Sequence, residues 1–515
     1  MRRSLAVVVA LLCSSCVHPD KTRSVATAAA IDVIELELAE AQRRMQTGVL
    51  SSAALTAAYL ERIAAIDDAG PALAAVIEVN PHARADAEAL DRERAQGRVR
   101  GPLHGIPLLI KDNIDVAGMV NSAGSLALAE HRPRTDAPLV TRLRAAGAVI
   151  LGKTNLSEWA NFRSTNSTSG WSSRGGQTKN PYGLDRNPCG SSSGTGAAIA
   201  ASLAAAGVGT ETDGSILCPA AIQGLVGLKP TVGLVPAAGI IPISATQDTA
   251  GPMARTVRDA ALLLNGMTEG TGDYTAGLDP AALRGKRIGV LRQAMGGDPR
   301  LDALTEQALA SLRAAGAEVV DPVEIATWQE WGEHEFEVLL YEFKDGLDRY
   351  LRESGAPVSS LAGLIAWNRE HARAVMPWFG QELLEQAQAK GGLDTPAYTA
   401  ARAAARRLAW DEGLGAALTQ HRLDAVVAPA MGPAWPIDPV LGDRSSGGGG
   451  YGAAAVAGTP SLTVPMGHIH GLPVGLAFLG EPRGEAELLA MGYAFEQKTR
   501  ARRAPTFRPT VTRDP

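Results

Sequence analysis

The chain reads as an α/β protein, because short apolar strands alternate along it with helical stretches. Residues 107–110 and 148–151 are apolar runs of strand length, and 138–146 between them is spaced as a helix. The segments 288–291 and 317–320 repeat the arrangement around an amphipathic stretch at 301–314. A third observation concerns the centre of the chain. Serine and glycine cluster at 190–196 and again at 209–215, on either side of an uncharged run, 197–206, whose one polar residue is Ser202. A helix that is apolar all round is normally buried, so this run is expected to be a buried spacer between two polar turns.

The elements follow in order. Arg2 and Arg3 precede an apolar run from Leu5 to Leu12 and then Cys13-Ser14-Ser15-Cys16. A charged start followed by an apolar stretch too short to span a bilayer is the pattern of an export signal, here residues 1–16. Small residues before Cys16 are similar to a lipoprotein cleavage box, although Cys13 stands where Leu is usual. Two outcomes stay open: a periplasmic or secreted protein, or one held at the membrane by a lipid on Cys16. Ile34, Leu38, Ala41 and Met45, then Leu55, Tyr59, Ile63 and Ile66, recur at helical spacing on either side of Gly48, and a third helix runs from Pro81 towards Gly97. Residues 153–189 form a long polar stretch, of the kind that lines a site. Residues 323–420 read as mainly helical, with aromatics at core spacing, and 445–450 reads as a flexible tether. The segments 455–465 and 471–480 read as two adjacent strands.

Composition excludes some classes. A net charge of −5, with Lys and Arg scattered, argues against a nucleic-acid partner. No H-E-x-x-H and no paired C-x-x-C occurs, so neither a metal nor another cofactor is expected. Gly147 to Thr154 satisfies the phosphate-loop expression G-x-x-x-x-G-K-T, but its apolar strand lies between the glycines rather than before them. Its amides are therefore expected in sheet pairing, not around a phosphate. Cys189 and Cys218 each lie beside one of the serine turns. A disulfide between them is conceivable in an oxidising compartment, with two small buried thiols as the expected state.

A serine nucleophile needs a base. None of the nine histidines sits in a promising setting: His468 and His470 flank a turn, while His334 and His371 lie in polar helical stretches. Lysine serves if burial keeps it neutral, and Lys111 follows the apolar run 107–110. The plain alternative is a salt bridge from Lys111 to Asp112 or Asp115.

The motifs G-I-P-L-L-I-K-D-N at 105–113, G-S-S-S-G-T-G-A-A at 190–198 and G-T-E-T-D-G-S-I at 209–216, in this order, resemble the amidase signature family. The resemblance covers roughly 31–505 and implies one domain over those residues: a single large mixed β-sheet covered by helices on both sides. It implies a Ser–Ser–Lys triad of Lys111, Ser191 and Ser215, a cis peptide bond before Ser191, and an oxyanion hole in the main-chain N–H groups of Thr212, Asp213, Gly214 and Ser215. Ser192 is implied as a supporting hydrogen-bonder. Asp213 stands where many members carry Gly, and Ser193 and Thr195 also depart from the commonest pattern. The stretches 161–167, with N-F-R-S-T-N-S, and 239–253 look most like the bacterial peptide amidase branch. The expected function is therefore hydrolysis of carboxamides, namely C-terminal amides of peptides, with no nucleic acid and no obligatory protein partner. The alternatives are a general amidase for small aliphatic or aryl amides, the glutaminase subunit of a tRNA-dependent amidotransferase, and a non-catalytic lipoprotein scaffold.

Overall fold

The computed structural model describes residues 31–270 and 272–511. The leader 1–16, with Cys16 and the Arg2-Arg3 pair, lies outside the described residues. The described residues from 32 to 511 form one compact unit.

Among the described residues, eleven of the thirteen strands form a single sheet. In chain order the strands are β1 (Val76–Val79), β2 (Pro107–Lys111), β3 (Val149–Thr154), β4 (Trp171–Ser172), β5 (Gly176–Gln177), β6 (Ala206–Glu211), β7 (Val226–Lys229), β8 (Thr249–Ala254), β9 (Arg287–Leu291), β10 (Glu318–Val323), β11 (Ala425–Pro429), β12 (Ser461–Ile469) and β13 (Leu472–Leu479). Across the sheet the order is β1-β3-β2-β6-β8-β7-β12-β13-β11-β9-β10, and β4 with β5 makes a separate two-stranded ribbon. Strand β2 runs parallel to both β3 and β6, whereas β6 with β8, β7 with β12 and β12 with β13 are antiparallel. The sheet is mixed and flanked by helices.

The first helices are α1 (Leu38–Gln46), α2 (Ser52–Ile66), α3 (Ala83–Ala95) and α4 (Pro138–Ala145). Ser51 caps α2, its side chain accepting from the Ala54 N–H. Ile34 lies outside α1 and is exposed, unlike Leu38, Ala41 and Met45, which are buried as their spacing requires. Between β5 and β6 lies α5 (Ser193–Ala200), every residue of it buried. The apolar run is thus helical only as far as Ala200. The chain then turns at Ser202, with φ +56°, and enters β6 at Ala206, since the same run must also supply a strand between β2 and β8. A Cβ on Gly194 would stand 2.3 Å from the Ala75 carbonyl oxygen and 2.5 Å from that of Asn155, so only glycine lets α5 seat this deeply.

After α6 (Leu217–Ala221), α7 (Val257–Met267) and α8 (Pro299–Ala314), the helical region contains α9 (Gly332–Ser354) and α10 (Leu361–Glu370). Phe343, Leu347, Leu361 and Leu384 from this region form a core with Phe162, Ile241 and Ile243. The stretch at 445–450 is no free tether: Gly432 N–H donates to the Gly447 carbonyl at 3.1 Å and Gly449 N–H to that of Ala430 at 2.9 Å. Residues Gly452–Ala457 are helical, so the strand expected at 455–465 starts only at Ser461. Between Gly147 and Thr154 the backbone is strand β3, paired with β1 and β2.

Candidate active site

Strands β2 and β6 are parallel neighbours, and the candidate site lies at their carboxyl ends, where open α/β sheets usually hold ligands. Lys111 is the last residue of β2 and is fully buried. Its Nζ lies 2.7 Å from Ser191 Oγ, 2.8 Å from Thr210 Oγ1 and 3.1 Å from the Thr210 carbonyl oxygen. The Asn113 amide also donates to Thr210 Oγ1, at 3.0 Å. A neutral lysine amine has two N–H bonds and one lone pair. The two oxygens of Thr210 accept those hydrogens, which leaves the lone pair for the Ser191 hydroxyl.

Lys111 makes no salt bridge to Asp112 or Asp115. Asp112 faces Lys153 at 3.3 Å and Arg174 at 3.1 Å, and Asp115 accepts from the Tyr350 hydroxyl at 2.7 Å. Burial pulls the Lys111 ammonium down to about 7, against the weaker opposing pull of Asp248 and Glu211. Lys153, the lysine of the phosphate-loop look-alike, instead donates to the carbonyls of Ile114 at 2.7 Å and Val120 at 3.1 Å.

Ser191 and Ser192 immediately precede α5, and the Gly190–Ser191 peptide bond is cis. The Ser192 hydroxyl donates to the Thr210 carbonyl at 3.0 Å and accepts from the Thr210 N–H at 3.2 Å, locking this segment to β6. The Ser192 N–H donates to the Ser215 carbonyl at 3.1 Å, which joins the two serine turns directly. Ser193 and Thr195 fit because neighbouring hydroxyls receive them: Thr195 Oγ1 lies 2.7 Å from Thr154 Oγ1 and Ser193 Oγ lies 3.4 Å from Ser157 Oγ.

The second turn is held from beneath by Glu211. Its carboxylate accepts from the N–H groups of Ile216 at 2.7 Å and Leu217 at 2.9 Å. Burial pushes the Glu211 carboxyl up, opposed first by Lys229. Gly214 has φ +78°, and a Cβ there would stand 2.4 Å from the Tyr451 ring. Thr212 is fixed through its hydroxyl, which donates to Asp248 at 2.6 Å, and Asp248 in turn accepts from the N–H groups of Ile243 and Ser244. Asp213 is exposed, and the nearby carboxylates of Glu335 and Glu211 act to raise its own carboxyl. Gln247 joins Glu335, at 2.8 Å, to the Thr212 carbonyl, at 3.4 Å.

Cys189 and Cys218 form a disulfide, with their Cα atoms 6.0 Å apart, instead of remaining two thiols. The same contact between the serine turns that joins Ser192 to Ser215 brings the two sulfurs within bonding range. Thr210, Glu211, Asp248 and Tyr451 escaped the sequence reading. The first three lie inside recognisable motifs, but their function as hydrogen-bond partners depends on the fold. Among the described residues no group of His, Cys, Asp and Glu is arranged to hold a metal ion.

This arrangement of a buried lysine beside paired serine turns, at the carboxyl ends of two internal strands of a mixed sheet, is that of the amidase signature hydrolases. The chain belongs to that family: the Amidase family model matches residues 54–489. Its backbone superposes on native peptide amidase from Stenotrophomonas maltophilia with a TM-score of 0.88 and 57% identity, over 92% of this chain and 99% of that one. It is 38% identical over 486 residues to a probable amidase of Arabidopsis thaliana, covering 89% of both chains. It is also 35% identical over 495 residues to a glutamyl-tRNA(Gln) amidotransferase subunit of Pseudomonas syringae pv. syringae, covering 90% of this chain and 98% of that one.

Proposed function

We propose that the protein hydrolyses C-terminal carboxamides of peptides through an acyl-enzyme on Ser215. The contact between Lys111 Nζ and Ser191 Oγ at 2.7 Å carries this reading, because it supplies a buried neutral base one hydroxyl away from the second serine turn. Ser215 Oγ attacks the amide carbon and passes its proton to Ser191, whose own proton goes to Lys111. The negative oxygen of the tetrahedral intermediate is met by main-chain N–H groups of the turn Thr212, Asp213, Gly214 and Ser215. Each such donor is worth roughly 3–4 kcal/mol of barrier. The proton returns through Ser191 to the departing nitrogen, the C–N bond breaks, and ammonia leaves. Water then attacks the ester by the same relay, giving the free acid and regenerating Ser215.

The 57% identity to a peptide amidase favours peptide amides over simple ones. A second reading, a glutaminase working with partner proteins, has the 35% identity to an amidotransferase component in its favour. The test is ammonia release by the purified protein from amidated dipeptides, acetamide, benzamide and glutamine. Turnover confined to glutamine, or absent without added partner proteins, would reject the peptide reading. The leader of residues 1–16, together with a disulfide that oxidising compartments preserve, supports export of the protein. Cell fractionation tests it, and a protein confined to the cytosol would refute it.

A further inference from the structure

We infer that the Cys189–Cys218 disulfide is a positioning device for the reaction: it fixes the turn carrying Ser215 against the segment carrying Ser191. This rests on the proposed roles of those two serines. Cys189 is two residues before Ser191, and Cys218 is three residues after Ser215. The Cys218 N–H donates to the Gly214 carbonyl at 2.8 Å, so one end of the cross-link is bonded directly to the residue preceding Ser215. At the other end, the Cys189 N–H donates to Asn187 Oδ1 at 2.8 Å, and the Asn187 amide donates to Asp443 at 2.9 Å. Asp443 also accepts from the Ser169 N–H at 3.0 Å and the Trp435 indole N–H at 3.1 Å. The cross-link therefore ties the Ser215 turn into the anchored frame that holds the Ser191 segment.

Without it the ties are noncovalent: the Ser192 N–H on the Ser215 carbonyl at 3.1 Å, the Ser192 hydroxyl on Thr210, the Gln223 amide on the Pro188 carbonyl at 2.9 Å, and the Asn180 amide on the carbonyls of Asn187 at 3.3 Å and Ile222 at 3.2 Å. Helix α6, which carries Cys218, is five residues long and has little rigidity of its own. Lys111 keeps its contacts to the Thr210 hydroxyl and carbonyl on β6 and its burial in β2 without the cross-link, so its protonation should be unaffected.

The experiment compares wild type with the Cys189→Ala/Cys218→Ala double variant on an amidated dipeptide, together with thermal unfolding. The expected result is a kcat lower by about 10-fold to 100-fold, with KM little changed and the pH profile unmoved, measured well below the variant's Tm. A staple that only stabilises would lower Tm and leave kcat within about twofold, and that outcome overturns the inference. Should the variant not fold, wild type is treated with a phosphine, which takes the S–S bond to two thiols and gains oxygen from water to become its oxide. Activity must then fall in step with titrated thiols and return on reoxidation, and activity unchanged in fully reduced, folded protein refutes the idea. Wild type that neither releases ammonia nor labels at Ser215 with a fluorophosphonate would instead refute the proposed function itself.

Discussion

Lys111 Nζ and Ser191 Oγ lie 2.7 Å apart, both in residues fully shielded from solvent, and among the described residues the lysine has no carboxylate partner at salt-bridge distance. Burying an amine in this way is useful for catalysis only if it is uncharged.

Activity is therefore expected to rise with pH through about 7, as the Lys111 ammonium loses its proton. The stability effect has a definite sign too. The folded amine is free of its proton above about 7, while the unfolded one keeps it up to 10.5. Between those values the unfolded chain binds more protons, so this group makes stability rise with pH. In Lys111→Met, hydrolysis should be lost and that rise should disappear; kcat/KM and Tm profiles over pH check both.

Ser191→Ala and Ser192→Ala separate proton relay from scaffolding. Removing the Ser191 hydroxyl breaks the contact offered to the Lys111 lone pair and should lower kcat by about 100-fold to 10,000-fold without loss of stability. Ser192→Ala loses the two hydrogen bonds to Thr210 and should cost about 1–3 kcal/mol in unfolding free energy with a smaller fall in kcat. The reverse ranking in kcat would reject these assignments.

Glu211→Gln should slow turnover by about 100-fold, since it replaces charge-assisted bonds to Ile216 and Leu217 with weaker neutral ones and adds a donor facing those N–H groups. Labelling of Ser215 by a fluorophosphonate should slow in parallel. Labelling at the wild-type rate would show that the turn holds its shape without the carboxylate.

Lys153→Ala should destabilise the protein by about 3–5 kcal/mol, because it leaves the buried Asp112 carboxylate with Arg174 as its one cationic partner among the described residues, beside the Ser122 hydroxyl. Denaturant unfolding measures it, and a loss below about 1 kcal/mol would mean that Arg174 suffices.

Much of this was legible in the chain, and the gaps have physical causes. The strands at 107–110 and 148–151 and the helix at 301–314 announce themselves through local periodicity, which survives in one dimension. The motifs around Lys111, Ser191 and Ser215 were legible for another reason: each is a short contiguous run, and together they resemble a known family pattern. The run 197–206 was not, because alanines satisfy both a buried helix and a buried strand, and only the sheet decides where one becomes the other. The Asp112 partner could not be chosen from sequence either. Its neighbour Lys111 was the obvious candidate, yet Lys111 ends β2 facing Ser191 and Thr210, while Asp112, the first residue past the strand, meets Lys153 of β3. The sulfur pairing likewise depends on two turns meeting that are 29 positions apart along the chain.

The place of β12 and β13 has a consequence for the order in which the molecule can be completed. This hairpin stands between β7 and β11, so the sheet remains in two pieces, each with a raw edge, until residue 479 is available. Tyr451, the residue that packs on Gly214, is supplied from the same late part of the chain. A growing polypeptide thus cannot close its sheet before residue 479 has been synthesised, and until then the two raw edges are surfaces for chaperones to cover.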